Sequence, residues 1–261
     1  LLTARANATL SKNEVKEIDE QENIYPYRME RGYRVNQAKG LIALGLFKDY
    51  DDIRNSPKQT FGNYMPGDIK YKDVNGDGII DDQDQVAVGA TTVPNLVYGI
   101  GVSAQWKGLD VNVHFQGAGK SSFFIDGEGV RPFASGNRGN FYQEVIDGRW
   151  ISKEESGTIA TENPHAKYPR LSYGYNDNNN RNSSYWLRNG SYLRLKTLEV
   201  GYTLPKKIVN RIHFNNIRIY MIGTNLITWS KFKMWDPEMN SSNGATYPLA
   251  KSVTVGLNVN L

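Results

Sequence analysis

The chain has 261 residues, a formal net charge of +4 and no cysteine, and 39% of its residues are hydrophobic. The lack of cysteine excludes disulfides, thiolate catalysis and cysteine-based zinc sites. Three widely spaced histidines make a histidine metal site or a Ser/His/Asp triad hard to build. The mild charge, without a basic cluster interleaved with aromatic residues, argues against nucleic acid as a partner. No run of about 18 apolar residues occurs, so a transmembrane helix is excluded.

The first part of the chain contains one weak strand signal and then a long polar segment. The opening stretch, LLTARANATLSKN, alternates weakly between apolar and polar residues. It lacks a methionine and the charge pattern of a signal peptide, so we expect the chain to be a piece of something longer. Residues 15–93 are predicted to form a long loop.

Within this loop, residues 73–84 (DVNGDGIIDDQD) match the calcium loop of an EF-hand. Hard oxygen ligands at alternate positions surround one side of such an ion, and a glycine permits the sharp turn between them. The predicted ligands are the side chains of Asp73, Asn75, Asp77 and Asp84 and the main-chain carbonyl of Ile79. The alternative is a loop held by Asx-turns without an ion. The flanks, GDIKYK and QVAVGA, look extended, which favours a fixed structural Ca²⁺ site over the helix pair of a sensor.

Period-two alternation gives the clearest signal in the rest of the chain. In NLVYGIGVSAQW and GLDVNVHFQG, one parity is apolar and the other is largely polar or glycine. SYLRLKTLEVGYTL and NIRIYMIGTNLITW predict two further strands, and SVTVGLNVNL predicts a last strand that ends at Leu261. Arg194 and Lys196 fall on an apolar parity. This predicts either a bulge near Lys196 or a strand half that projects beyond the apolar zone.

The lengths of the connections alternate strictly between long and shorter. Residues 15–93, 119–190 and 229–249 are long links, Lys107–Gly108 is a tight turn, and 205–215 is of medium length. An outer-membrane barrel sorts its connections in this way, with short periplasmic turns and long external loops. Strands of about ten residues span a bilayer when tilted. Aromatic residues at strand ends suit interfacial girdles: Trp106, Tyr192 and Trp229.

These patterns predict an all-β fold in which the apolar parity faces lipid and the polar parity faces a wet lumen. A water-soluble antiparallel sheet with one buried face would show the same alternation, but the sorting of the loops favours the membrane. At least eight strands are needed to close a barrel. Six strands therefore predict the C-terminal part of a larger transmembrane antiparallel barrel.

No enzyme is indicated. The stretches GIGVSA and GAGKSS resemble nucleotide-binding motifs, but neither is followed by a helix that could hold a phosphate. No pair of carboxylates is placed as acid and base, and no catalytic residue is predicted. Four aromatic residues in loops suit either sugar stacking or packing, with packing or interfacial roles at least as well supported: Trp150, Tyr185, Trp186 and Trp235.

Several stretches together carry a family resemblance. MPGDIKYKDVNGDGIIDDQDQVAVG resembles a hallmark segment of the SusC/RagA-like TonB-dependent outer-membrane transporters. Other stretches agree with that family in the same order and cover nearly the whole chain: RGYRVNQAKGLIALGLF, ENPHAKYPRLS, NGSYLRLKTLEVGYTLPKKI and GTNLITWSKFKMWDPE. One departure is the terminal Leu261, where barrel-assembly signals usually have an aromatic residue.

The resemblance implies that residues 1–261 are about the last six strands of a barrel of about twenty-two strands. The loops 15–93 and 119–190 would then be extracellular. It also implies import of oligosaccharides or peptides across a bacterial outer membrane, contact with outer-membrane lipid, and a SusD-like surface lipoprotein as partner. Energy would come from TonB–ExbB–ExbD through an N-terminal part that these residues lack. The alternative is a soluble, calcium-stabilised extracellular β module that binds carbohydrate or protein, and a surface glycosidase ranks third.

Overall fold

The computed structural model describes residues 1–136, 140–239 and 241–260. The predicted strand end at Leu261 lies outside these residues. The strands are β1 Leu2–Leu10, β2 Gln37–Gly40, β3 Ala43–Leu46, β4 Lys58–Gln59, β5 Ile69–Tyr71, β6 Ile79–Ile80, β7 Val86–Thr91, β8 Leu96–Trp106, β9 Leu109–Gly119, β10 Ser122–Phe124, β11 Leu187–Asn189, β12 Tyr192–Thr203, β13 Asn216–Ser230 and β14 Ser252–Asn260.

The helices are short. They are α1 Tyr50–Arg54, α2 Gln143–Asp147, α3 Lys153–Ser156 and α4 Lys206–Val209, with 3-10 turns at Pro26–Arg28, Asp82–Asp84, Ile159–Thr161, Asn210–Ile212 and Pro237–Met239. None of the helices in the described ranges is long and apolar enough to cross a membrane.

Six long strands form one sheet in the order β1-β8-β9-β12-β13-β14. Every neighbouring pair in this sheet is antiparallel. These strands correspond to the six predicted from alternation, including the weak candidate at the start of the chain. Within the described residues the sheet is open, with β1 and β14 as its edges.

The pairing register sorts the side chains of the sheet onto two faces. Ile100 lies opposite Phe115, Val102 opposite Val113, and Val113 opposite Leu198, so the apolar parities of neighbouring strands share one face. This apolar face is solvent-exposed in the isolated chain, with Val253 at 65% and Val255 at 72% exposure on β14. The opposite face carries the polar and glycine positions. The predicted separation of apolar and polar parities is therefore confirmed.

A bulge explains the misplaced basic residues of β12. Against β9 the register shifts between Leu195 and Thr197, so Lys196 is the extra residue of β12. Against β13 the register shifts at the same place, but there two residues, Asn225 and Leu226, lie opposite Lys196. Asn225 of β13 lies in the same irregular stretch with a left-handed backbone (φ 52). Asparagine tolerates this conformation better than most residues. The shift leaves Leu195 and Leu198 on the apolar face and moves Arg194 to the polar face. Of the two predicted alternatives, the bulge near Lys196 is therefore correct.

The long connections all leave the sheet at the same end. Leu10, Leu96, Gly119, Tyr192 and Ser230 are brought together there by the pairing of β1, β8, β9, β12 and β13. We call this end of the strands the loop end, and the opposite end of the strands the turn end. The three connections that emerge at the loop end, residues 11–95, 120–191 and 231–251, are called the loop body.

The loop body has a hydrophobic core of its own. All three connections contribute to one cluster of buried residues: Leu41, Leu46, Phe61, Ile69, Tyr71 and Ile80 from the first, Ile125, Val130, Val145, Trp150, Tyr168 and Trp186 from the second, and Phe232 from the third. Short strand pairs brace the cluster, with β2 against β7, β3 against β5, β4 against β6 and β10 against β11. The long connections are thus one packed unit rather than separate loops.

Candidate functional site

The loop aromatics lie in the core of the loop body. Trp150 is 5% exposed and Trp186 is 1% exposed. The ring of Trp150 packs against Gly67, where an added methyl group would lie 2.4 Å from the ring. Trp186 donates its Nε1–H to the carbonyl of Asn179 at 2.6 Å. Neither ring has a free face on which a sugar could stack.

The other two aromatics are also held by neighbours. Tyr185 stacks edge-on against Trp186 and donates its hydroxyl to the carbonyl of Ala166 at 2.8 Å. Trp235 contacts Phe232 at a ring-centroid distance of 4.8 Å. Burial raises the pKa of the Tyr185 hydroxyl above its ordinary value. Packing is therefore the role of these four residues, and the sugar-stacking interpretation is not supported.

A buried polar network joins the first two connections of the loop body. The side chain of Gln59 donates to Asn178 Oδ1 at 2.5 Å and to the carbonyl of Ile69 at 3.0 Å, and it accepts from the Tyr71 N–H at 2.7 Å. Asn179 accepts from the Ile69 N–H at 2.8 Å. Side-chain amides thus satisfy backbone groups that the short strand β5 leaves without a partner in its own sheet.

Asp68 is the charged centre of this network. Its carboxylate is fully buried and accepts from the Met65 N–H at 2.9 Å, from Asn179 Nδ2 at 2.7 Å and from Arg170 Nη2 at 3.0 Å. Asn176 adds a further amide donor at 3.3 Å. Burial raises the pKa of Asp68, while Arg170 and the Met65 N–H act in the opposite direction. A fully buried carboxylate of this kind is stable only because several donors surround it.

Sequence reasoning did not identify this network. The only local signal is the run of polar residues at 176–180 (NDNNN), which as a sequence predicts a turn or a solvated loop. Asn178 and Asn179 are buried because they pair with residues more than a hundred positions away.

The calcium-type loop folds as a set of Asx-turns. Asp73 accepts from the N–H groups of Gly76 at 2.7 Å and Gly78 at 2.8 Å. Asp77 accepts from the Ile79 N–H at 2.8 Å and from Asn75 Nδ2 at 2.8 Å. The hydrogen bonds therefore bring four of the five predicted ligand residues into one turn: Asp73, Asn75, Asp77 and Ile79.

The fifth predicted ligand, Asp84, closes the same loop, because its Oδ1 lies against the N–H groups of Val74 and Asn75 at the start of the loop. It is fully buried and accepts from the N–H groups of Val74 at 2.7 Å and Asp81 at 2.9 Å. The flanks of the loop are the strands β5 and β7, as the sequence predicts. Within the described ranges, no three His, Asp or Glu side chains cluster as a metal site. The oxygen donors are of the type that Ca²⁺ prefers, and Ca²⁺ itself stays a prediction.

An ion-pair cluster attaches the third connection to the sheet. Arg194 of β12 is 1% exposed, and its Nη2 lies 2.6 Å and 2.8 Å from the two carboxylate oxygens of Asp236. Its Nε lies 3.2 Å from Glu238, and its guanidinium stacks over the Tyr192 ring at 5.5 Å. The WDPE stretch of the sequence therefore includes the two acidic partners of a strand arginine.

The polar face of the sheet has two further features. Near the turn end, Arg218 forms ion pairs with Asp110 and Glu199 and lies across Gly201. Toward the β1 edge of the sheet, an open depression of about 530 Å³ is lined by small and polar residues: Arg5, Ala6, Asn7, Gly99, Gly101, Ser103, Asn112, His114 and Thr197. This face is suited to water or polar contacts, whereas the opposite face is suited to an apolar environment.

An open antiparallel sheet with one exposed apolar face and its long connections at one end is typical of a section of an outer-membrane β-barrel. Comparison with known proteins agrees. TonB-dependent receptor P26 of Formosa agariphila is 31% identical over 246 residues, covering 89% of the chain and 23% of that protein. TonB-dependent receptor P3 of the same organism is 26% identical over 241 residues, covering 83% of the chain and 22% of that protein.

The chain is therefore related to the TonB-dependent receptors over most of its length, and it spans about a quarter of the length of these relatives. The solved RagAB peptide transporter has a TM-score of 0.68 at 19% identity, covering all of this chain and 27% of the compared chain. The open-open state of the RagAB peptide importer gives 0.67 at 19% identity. At this identity the likeness establishes the fold. No protein-family profile matches the chain.

These relatives confirm the resemblance predicted from the sequence. They are receptors and transporters, which supports the prediction that the chain is not an enzyme. The parts of the relatives that this chain does not cover account for most of their length.

Proposed function

We propose that the chain is the C-terminal part of the barrel of an outer-membrane TonB-dependent importer. The observation that carries this proposal is the sheet itself, whose apolar face is exposed while its loop end carries a separately packed body. A water-soluble protein rarely leaves so large an apolar face uncovered. In a bilayer the same face contacts lipid, and the loop body lies on the outer surface.

The transported substrate is proposed to be an oligosaccharide or a peptide, taken up with a SusD-like surface lipoprotein and with energy from TonB–ExbB–ExbD. The name of the RagAB relatives supports the peptide alternative, since they are peptide transporters. The buried loop aromatics remove one argument for sugar stacking but leave the oligosaccharide alternative open.

Fractionation and uptake test this proposal with the whole receptor. We expect the protein in the outer-membrane fraction, extracted only with detergent and migrating faster on a gel when unheated. A deletion strain should lose uptake of either labelled peptides or labelled oligosaccharides, and dissipating the proton gradient should abolish uptake in the parent strain. A lipoprotein should co-purify with the tagged receptor. Recovery of the folded protein in the water-soluble fraction would contradict the proposal.

We also propose that the loop 73–84 binds Ca²⁺ as a structural ion. The expected ligands are the Asp73, Asn75, Asp77 and Asp84 side chains and the Ile79 carbonyl. Extracellular calcium sites of this kind have dissociation constants on the order of 0.1–1 mM. Bound Ca²⁺ would hold together carboxylates that otherwise repel one another, so it is expected to stiffen the loop.

Chelation is expected to make residues 73–84 several-fold more susceptible to protease, with protection restored by Ca²⁺ but not by Mg²⁺. The Asp77→Ala variant should be susceptible whether or not Ca²⁺ is present. Asp51→Ala, an exposed aspartate of α1 outside the loop, serves as the matched control and should behave like the parent. If the parent protein is cleaved at residues 73–84 equally fast with and without Ca²⁺, the proposed Ca²⁺ site is ruled out.

A further inference from the structure

Basic side chains line a cavity of about 240 Å³ at the loop end of the sheet. Lys231 and Lys233 follow directly after β13, and Arg188 lies in β11, just ahead of β12. Lys167 of the loop body also lines this cavity. We call it the basic cavity.

The two lysines follow a strand whose last residue on the apolar face is Trp229. Trp229 is opposite Leu193 on that face and is 45% exposed. β13 ends at Ser230, and beyond it Lys231 and Lys233 are exposed whereas Phe232 is buried in the core of the loop body. The basic cavity is therefore at the boundary where the apolar face ends and the loop body begins.

The basic cavity carries more positive charge than its carboxylates neutralise. Glu144, the acidic member of its lining, forms an ion pair with Lys167. In the part of the chain that the structure describes, Arg188, Lys231 and Lys233 form no ion pair with a carboxylate. Three like charges around one small depression repel one another, and a bound anion relieves this repulsion.

We propose that the basic cavity binds the phosphate of an anionic lipid head group, whose acyl chains lie along the apolar face beside Trp229. This inference rests on the proposed placement of the sheet in the outer membrane. A phosphate offers several oxygens to lysine ammonium groups and to the planar fork of an arginine. Basic pockets at a membrane surface recognise anionic head groups by this combination of charge and depth.

The position argues for a lipid rather than a transported anion. A substrate would pass along the polar face of the sheet, whereas Trp229, two residues ahead of Lys231, lies on the apolar face. Trp229 provides an aromatic side chain of the kind that lies at head-group level, and the lysines begin two residues beyond it. The apolar face and the basic cavity thus match the two chemically distinct parts of one lipid.

The test uses the full-length receptor, purified in a neutral detergent and supplied with phosphatidylglycerol, phosphatidylcholine or inorganic phosphate. Retained lipid is counted by native mass spectrometry. The double variant Lys231→Gln/Lys233→Gln removes two exposed cations without touching the core. Each basic residue at a membrane surface contributes about fivefold to the affinity, so phosphatidylglycerol retention should weaken by about thirtyfold. Raising the salt concentration should weaken retention by the parent protein as well.

A matched variant, Lys58→Gln/Lys153→Gln, makes the same charge change at exposed lysines that do not line the basic cavity. It should retain phosphatidylglycerol like the parent. Equal retention by all three proteins would overturn the inference, as would equal retention of phosphatidylcholine. A variant that loses binding of inorganic phosphate but keeps the lipid would also overturn it, because the cavity would then be a site for a free anion only.

The outcome is separable from the proposed function. Substrate uptake by cells should be retained in the Lys231→Gln/Lys233→Gln strain, since neither side chain lines the depression on the polar face. If uptake and membrane fractionation behave as expected but lipid retention does not depend on the lysines, only the lipid inference fails. A receptor absent from the outer-membrane fraction would instead remove the proposed function.

Discussion

Replacing Asp68 with alanine is expected to loosen the loop body by about 3–5 kcal/mol, the usual cost of leaving the partner of a buried ion pair without its counter-charge. The change removes the acceptor shared by Arg170, Asn179 and the Met65 N–H, and it leaves these donors facing a cavity. Because the carboxylate is fully buried, water cannot easily replace it.

Hydrogen–deuterium exchange on the detergent-solubilised receptor measures this effect. Amides of β5 that are bound by the network should exchange roughly a hundred- to several-thousand-fold faster in Asp68→Ala than in the parent. Asp177→Ala, an exposed aspartate of the same polar run, should leave exchange unchanged. Equal exchange of β5 in the two variants would show that the carboxylate does not hold the loop body together.

Replacing Arg194 with alanine is expected to release the third connection from the sheet. Asp236 and Glu238 would then lie next to each other without a cation, at a cost of about 3–5 kcal/mol. Arg194→Lys keeps the charge but cannot reproduce the two-pronged contact with Asp236, so an intermediate effect is expected.

Exchange of the amides at 235–239 is the direct measurement. It should rise strongly in Arg194→Ala, while the strands at the turn end keep their protection. Arg211→Ala, an exposed arginine in the 3-10 turn between β12 and β13, is the control and should match the parent. If the amides at 235–239 exchange equally slowly in Arg194→Ala and Arg211→Ala, the ion pair does not anchor this segment.

The strands could be predicted because their signal is local. In β8 and β9, period-two alternation fixes both the strand and its faces, and pairing register then follows from the tight turn at Lys107–Gly108. For β13 the faces could not be assigned, because both parities are apolar. They become clear only from its neighbours: Met221 lies between Val200 and Val255 on the apolar face.

The interior of the loop body could not be predicted because its contacts are not local. Gln59 and Asn178 are 119 positions apart, and no periodicity marks either as buried. Trp150 and Trp186 lie in polar surroundings in the sequence, where sequence alone leaves packing and ligand stacking open. The calcium-type loop was recognised from its spacing, and its extended flanks were predicted correctly, because both features lie within a few residues of one another.

The shared core of the three connections has a consequence for the order in which the protein assembles. Leu41, Trp186 and Phe232 meet in one cluster although almost two hundred positions separate the first from the last. Contacts of such long sequence separation form late in folding. The loop body is therefore expected to be completed only after β13 has joined the sheet and brought Phe232, the last contributor, to the loop end.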